Sequence, residues 1–332
     1  MSIPQRHGIT VPFEGVPLHA HRDWFEEIAA LGYTDLWSAE SGGADAFTPL
    51  ALAAAWTPSL RLGTAIVPAF TRGAATLAET VASMVQAAPG RFALGIGTSS
   101  NVIVENWNGI PFEEPYRRVR DTIRFLRASL AGEKVTHEYD TFSVKGFRLG
   151  IRIDEMPPIL VAALRPDMLR LAGREGDGAV INWLSAEDVK TVVPYVGDDK
   201  EIVARIFVLP TDDYDVVRFV GKRAIAAYLN VPVYAAFHAW LGRGETLQPM
   251  WDAWKAGDRE AATAAIPDEL VDALVVHGTP AEIREHLARY AANGVTTPAP
   301  AFLAGPDDTR RALREQAPSA TEIEGGGPTR PA

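Results

Sequence analysis

Three consecutive hydroxyls, Thr98-Ser99-Ser100, close the apolar run Phe92–Ile96, with glycines at 95 and 97 just before them. Short side chains that both donate and accept suit the polar edge of a ligand where a buried strand turns into loop. A glycine costs a strand about 0.5–1 kcal/mol relative to alanine, so two at alternate positions need a cause. One cause is a flat molecule lying close to the backbone. The other is a tight corner of the sheet followed by a helix cap. Glu40 follows another apolar run, Tyr33–Ser38. A carboxylate beside a ring and a substrate can move a proton, and it can equally be a salt-bridged structural acid. Ala162-Ala163-Leu164-Arg165 leads into a helix, where free N–H groups, the helix dipole and a guanidinium would suit a phosphate. Arg165 also reads as an ordinary surface residue.

Other chemistries lack their residues. The chain has no cysteine, so thiolate metal sites, disulfides and cysteine nucleophiles are excluded. His19-x-His21 has the look of a ligand pair, but it lies in a polar stretch with no third ligand, and it reads as solvated. His238 sits in Phe237-His238-Ala239-Trp240 and reads either as core or as the wall of a cavity shared with Trp240 and Trp251. There is no Gly-x-Gly-x-x-Gly, Walker loop, Gly-x-Ser-x-Gly or His-Glu-x-x-His. Rossmann dehydrogenase and hydrolase chemistry are therefore without their usual support. No metal is expected.

The elements that position these groups alternate. Strands are predicted at 8–11, 33–38, 61–67, 92–96, 158–163, 178–183, 201–209 and 295–303, and helices fill most of the intervals. Residues 134–149 alternate apolar and polar around Asp140-Thr141 and predict an inserted β-hairpin after the fourth helix. Residues 230–292 read as helical throughout, with breaks at Gly242, Gly257, Pro267 and Gly278. Eight strand–helix units predict an α/β fold, a (β/α)8 TIM barrel with the hairpin and a helical insertion before strand eight. An open doubly wound sheet is the alternative. One domain over 1–305 is expected, with insertions at 134–149 and 230–292. A C-terminal helix and flexible tail are expected at 306–332, the last ten residues disordered.

In such a barrel the loops after the strands build the active site. Phe13 follows strand one, Ala65-Ile66-Val67 ends strand three, and Thr98–Asn101 follows strand four. Asn182 and Trp183 follow strand six. The apolar Ala65–Val67 segment suits one face of a ring. The net charge of −10 argues against nucleic acid and membrane surfaces as partners. The absence of an apolar N-terminal region predicts a cytoplasmic protein with no signal peptide.

Several segments resemble the luciferase-like monooxygenase superfamily. They are Leu31-Gly-Tyr-Thr-Asp-Leu-Trp37, Arg61-Leu-Gly-Thr-Ala-Ile-Val-Pro68 and Gly90-Arg-Phe-Ala-Leu-Gly-Ile-Gly97. Thr98-Ser-Ser-Asn-Val-Ile-Val-Glu-Asn-Trp-Asn-Gly109, Val161-Ala-Ala-Leu-Arg-Pro-Asp-Met168 and Gly173-Arg-Glu-Gly-Asp-Gly178 are similar to its actinobacterial F420-dependent oxidoreductases. The resemblance spans about residues 7–305. It implies a barrel, commonly a homodimer, with F420 (alternatively FMN) at its mouth. It also implies a bulge after strand three with a cis bond at Ala65–Ile66. Cofactor contacts would come from Ala65, Ile66, Val67, Gly97, Thr98, Ser99, Ser100, Ala162, Ala163, Leu164, Arg165 and Asn182. Glu40 occupies the place of a catalytic histidine, and Ser100 that of a catalytic glutamate, in the family's sugar-phosphate dehydrogenase. That activity is therefore not expected. Phe13, Asn101, Trp183, Phe237, His238 and Trp240 are the expected substrate contacts, for an apolar or aromatic small molecule. The implied activity is hydride transfer at C5 of F420. The alternatives are an FMN-dependent monooxygenase and a barrel that binds a ligand without catalysis.

Overall fold

The strands, in chain order, are β1 Gly8–Val11, β2 Asp35–Ser38, β3 Arg61–Thr64, β4 Val67–Pro68, β5 Phe92–Gly97, β6 Val135–Glu138, β7 Ser143–Phe147, β8 Ile159–Ala162, β9 Gly178–Asn182, β10 Glu201–Leu209, β11 Val275–His277 and β12 Thr297–Phe302. The structure is a computed structural model and describes residues 3–318. The expectation for the last ten residues lies outside that range. Ten strands share one parallel sheet, in the order β1-β2-β3-β5-β8-β9-β10-β11, with β12 also on β10 and β4 on β5. The sheet curls until β1 and β12 face each other. There Arg6 N–H donates to Thr296 O at 2.8 Å and Thr10 Oγ1 to Ala299 O at 3.1 Å. The α/β class read from the alternation is the class observed.

The inner face of this sheet is filled by one large side chain. Trp37 on β2 packs with Ala93, Leu160, Val180, Val203 and Ala299 from five other strands. Room for the indole comes from glycine: a Cβ built on Gly63 would lie 2.2 Å from the Trp37 ring, and one on Gly8 would lie 3.0 Å from it. Large and small residues thus alternate across the interior, as close packing requires.

At the N-terminal ends of the strands the interior is ionic. Arg61 donates to both oxygens of Glu201, at 2.6 and 2.8 Å, and to Asp35 at 3.3 Å. Arg6 Nε bridges both oxygens of Asp35 at 2.9 and 2.8 Å. Burial works against the Arg61 charge, but Glu201 and Asp35 outweigh it and hold its pKa above the usual arginine value. Asp35, Arg61 and Glu201 each open a strand, so this end is closed by paired charge.

Two sequence expectations need correction. The third predicted strand, 61–67, is interrupted after Thr64 and resumes as β4. The stretch 230–292 is not helical throughout, because β11 lies within it and pairs with β10 at Phe207–Leu209. Three residues are too short to show a period. Helices there span Pro232–His238, Gly244–Lys255, Arg259–Ala264, Asp268–Leu274 and Pro280–Ala292. The inserted hairpin is observed as the antiparallel pair β6–β7, and a helix spans Pro306–Glu315.

Gly63→Ala should lower stability by about 1–3 kcal/mol, the usual cost of overpacking a filled core. The midpoint of urea unfolding checks this. A midpoint equal to the parent's would contradict an interior filled by Trp37.

Candidate active site at the carboxyl ends of the strands

The site is built around an extra residue. Gly63 pairs with Ala93, whereas Val67 pairs with Ile96. Four steps along β3–β4 therefore match three along β5, which is a β-bulge. The gap in the ladder is filled by a side chain: Thr64 Oγ1 donates to Gly95 O and accepts from Gly95 N–H, both at 2.8 Å. On the other edge, Ala65 N–H donates to Ser38 O at 2.6 Å and Glu40 N–H to Ile66 O at 3.2 Å. The Ala65–Ile66 peptide is cis, the bond to which the resemblance pointed. Ala65 and Ile66 stay half-exposed above the Trp37 layer.

The two glycines of β5 answer to this bulge. A Cβ on Gly95 would lie 2.0 Å from the Thr64 carbonyl oxygen, and one on Gly97 would lie 2.6 Å from Ala162 Cβ and 3.3 Å from Ile66. The space beside them is held by protein atoms. This corrects the idea that a flat ligand itself rests on the glycine backbone. The surface available to it there is Ile66 and Ala162.

Around this seat the strand ends supply polar groups. Thr98, Ser99, Ser100 and Asn101 are all half-exposed, and Ser99 adopts φ 61°, a conformation rare for a residue with a Cβ and frequent at functional sites. Ser100 and Asn101 lead into the π-helical turn Val102–Trp107. Trp107 of that turn lies over Gly42 of the loop after β2, where a Cβ would be 3.2 Å from the ring. Glu40 is half-buried and accepts from Arg72 Nη2 at 2.7 Å. Arg72 in turn lies over the Phe47 ring at 4.8 Å. The helix into which Ala162–Arg165 leads begins at Pro166. Ala162 ends β8, and exposed Arg165 sits at the N-cap with no side-chain cap on the free N–H groups.

On the next strand, Asn182 Oδ1 accepts from Trp183 N–H at 2.9 Å, and Asn182 Nδ2 donates to Tyr234 OH at 3.2 Å. Trp183 has φ 53° and is buried against Phe207, their ring centroids 4.1 Å apart. His238 Nε2 donates to Trp183 O at 2.9 Å, since a carbonyl can only accept. The proposed substrate aromatics do not form one wall. Phe13 and Phe237 are buried in the main core, with half-buried Trp240 packed against it. Trp183 and Trp251 belong to a second cluster beside the long helix Tyr214–Leu229. Phe13 stacks on His21 and packs against Trp24.

Three participants carried too weak a sequence signal. Thr64 is one threonine in an apolar strand and acts only through the bulge. Arg72 lies in the loop after β4, four residues past Pro68, with no local pattern to tie it to Glu40. Arg205 had the clearest mark, a lone cation inside the run Ile202–Leu209. Its parity with inward-facing Val203 points it into the sheet's interior.

A family model described as luciferase-like monooxygenase matches residues 1–297. The chain belongs to this family. A Mycobacterium tuberculosis protein named for coenzyme F420-dependent oxidoreduction is 27% identical over 331 residues, covering 89% of this chain and 94% of the relative. The 5,10-methylenetetrahydromethanopterin reductase of Methanolobus tindarius is 27% identical over 281 residues, 80% of this chain and 84% of that one. Among solved structures, the coenzyme F420-dependent tetrahydromethanopterin reductase of Methanopyrus kandleri superposes with a TM-score of 0.78 at 19% identity, covering 94% and 97% of the two chains. It shares the fold. Among the described residues, no single helix is long and apolar enough to cross a membrane.

Two histidines near these strand ends, His21 and His238, are fully buried. His21 was read as solvated, but it is fully buried. Its Nε2 accepts from Phe13 N–H at 2.9 Å, which leaves Nδ1–H to donate to Pro17 O at 3.0 Å. Burial lowers its pKa, against the Pro17 bond. Burial, helped by the Arg243 charge, pushes His238 down to about 4. Groups that the fold prefers neutral stabilise it fully above their unfolded pKa near 6.5 and lose that stabilisation as pH falls. For His238 the loss runs from about pH 6.5 to about 4 and amounts to roughly 3 kcal/mol at most. Urea midpoints at pH 7 and pH 4.5 should therefore converge in His238→Asn relative to the parent. An unchanged difference would contradict a buried neutral His238.

Proposed function

We propose that this protein is an F420-dependent oxidoreductase that transfers a hydride between the deazaflavin and a small apolar or aromatic substrate. We also read the curled sheet as the family's (β/α)8 barrel, one domain over 1–305 with insertions at 134–149 and 230–292. The observation that carries the functional reading is the bulge at Thr64–Ile66, locked onto Gly95, with its half-exposed Ile66 beside the half-exposed Ala162 of β8. A rigid apolar seat rimmed by the hydroxyls of Thr98, Ser99 and Ser100 fits a planar ring with one polar edge. The Mycobacterium tuberculosis relative named for F420 supports the choice of cofactor.

In this reading Ala65 and Ile66 back the ring, while Val67, expected as a further contact, is fully buried in the core. Thr98–Ser100 and Asn182 bond its polar edge. The uncapped helix start at Arg165–Met168 receives its phosphate; Ala163 is not free to do so, since it is buried with its N–H on Val180 O. Bound F420 supplies two-electron chemistry without the oxygen reactivity of a reduced flavin. The protein's share is to fix the ring, keep its face dry and handle a proton. Glu40, half-buried and held by Arg72 at the rim, is the carboxylate we assign to that proton.

Titration of the apo-protein with F420 and with FMN tests the cofactor. Micromolar binding of F420 and none of FMN is expected; the reverse would make the protein a flavin-dependent monooxygenase. In the same assay Glu40→Gln should keep the parent's F420 affinity while turnover falls at least tenfold. Full activity of that variant across pH would remove Glu40 from proton transfer.

A further inference from the structure

Arg205 is an unpaired cation in the interior of the sheet. It opposes Asn182 on β9 and Ala299 on β12, and its face of β10 continues from Val203 in the Trp37 layer to Phe207. Its guanidinium lies 4.9 Å from the Phe207 ring centroid. Its Nε is buried and has no hydrogen-bond partner, and none of the ion pairs found among the described residues, such as those of Arg61 and Arg243, involves it. Arg61, at the amino ends of the strands, is the chemical contrast: Asp35 and Glu201 are both bonded to it. A half-buried guanidinium without an anion is costly unless something supplies one.

The neighbouring groups are donors as well. Trp183 N–H fixes the Asn182 amide with Oδ1 inward to it, so Nδ2 is the end that meets Tyr234. The Tyr234 oxygen accepts that bond. Its own proton remains to be donated. Arg205 charge acts on the same tyrosine. Beside these donors stand the stacked rings of Trp183 and Phe207, with Tyr228 4.9 Å from Trp183.

We infer that Arg205 and Tyr234 form a binding site for a carboxylate, carried by the molecule that enters at the strand ends. A guanidinium and a phenol proton offer donors only, the complement of an anionic oxygen pair. The flanking aromatic rings favour a carboxylate attached to an aromatic or otherwise flat body. The site gives the proposed oxidoreductase its substrate class, and it rests on that reading only for the identity of the ligand. The same chemistry has a second source, the carboxylates of the cofactor's own tail.

The test uses benzoate and the neutral benzamide as probes, with F420 in a separate arm, on the parent, Arg205→Met and Tyr234→Phe. The parent should bind benzoate at least tenfold more tightly than benzamide. Arg205→Met should abolish that preference, and Tyr234→Phe should reduce it about threefold, with F420 affinity unchanged. Loss of F420 affinity by tenfold or more in Arg205→Met, with no benzoate preference in the parent, would assign the same site to the cofactor's carboxylate. Absence of a benzoate preference together with F420 affinity within twofold of the parent would overturn the inference. Urea midpoints of both variants show that they are folded. If the parent prefers benzoate but does not bind F420, the carboxylate site stands and the cofactor assignment alone fails.

Discussion

The Thr64 hydroxyl bonded to both backbone groups of Gly95 is the contact on which the rest of the site depends. An extra residue in a strand normally leaves ladder groups unpaired, at a cost of about 1–3 kcal/mol for each buried one. Here one side chain replaces the missing pairing on β5. The bulge can then turn the Ala65–Ile66 segment out toward the strand ends without loosening the sheet. Gly95 is demanded by this contact, because the Thr64 carbonyl occupies the place of its side chain. Gly97 is demanded by the next, because Ala162 and Ile66 converge there. The two glycines, the bulge and the position of Ile66 are one arrangement.

Charge divides the interior into two ends. At the amino ends of the strands, Arg6, Asp35, Arg61 and Glu201 satisfy one another and close the sheet. Trp37 fills the middle. At the carboxyl ends the polar groups are arranged differently: hydroxyls face outward, a helix start lacks a cap, and Arg205 has no acid beside it. The closed end secures the fold. The open end is where we propose that an external molecule completes the pairing.

Much of this was legible in the sequence because it follows from short-range pattern. The strand–helix alternation gave the α/β class, Asp140-Thr141 marked the hairpin, and the hydroxyl run after β5 marked the rim. What failed was whatever depends on contacts between distant segments. The glycines of β5 read as room for a ligand, since nothing local says that Thr64 lies against Gly95. His21 read as solvated from its polar neighbours, yet it is buried against Phe13 and Phe25. The aromatic residues grouped as one pocket divide between two clusters, because periodicity says that a face is buried and not against what. β11 was missed for its length.

The central claim is that the bulged seat and the hydroxyl rim after β5 hold the cofactor. Hydrogen exchange of the apo-protein with and without F420 tests it most directly. The account predicts added protection at residues 65–67 and 97–101 and at the helix start 165–168. Unchanged exchange there, with protection appearing elsewhere on the molecule, would contradict it.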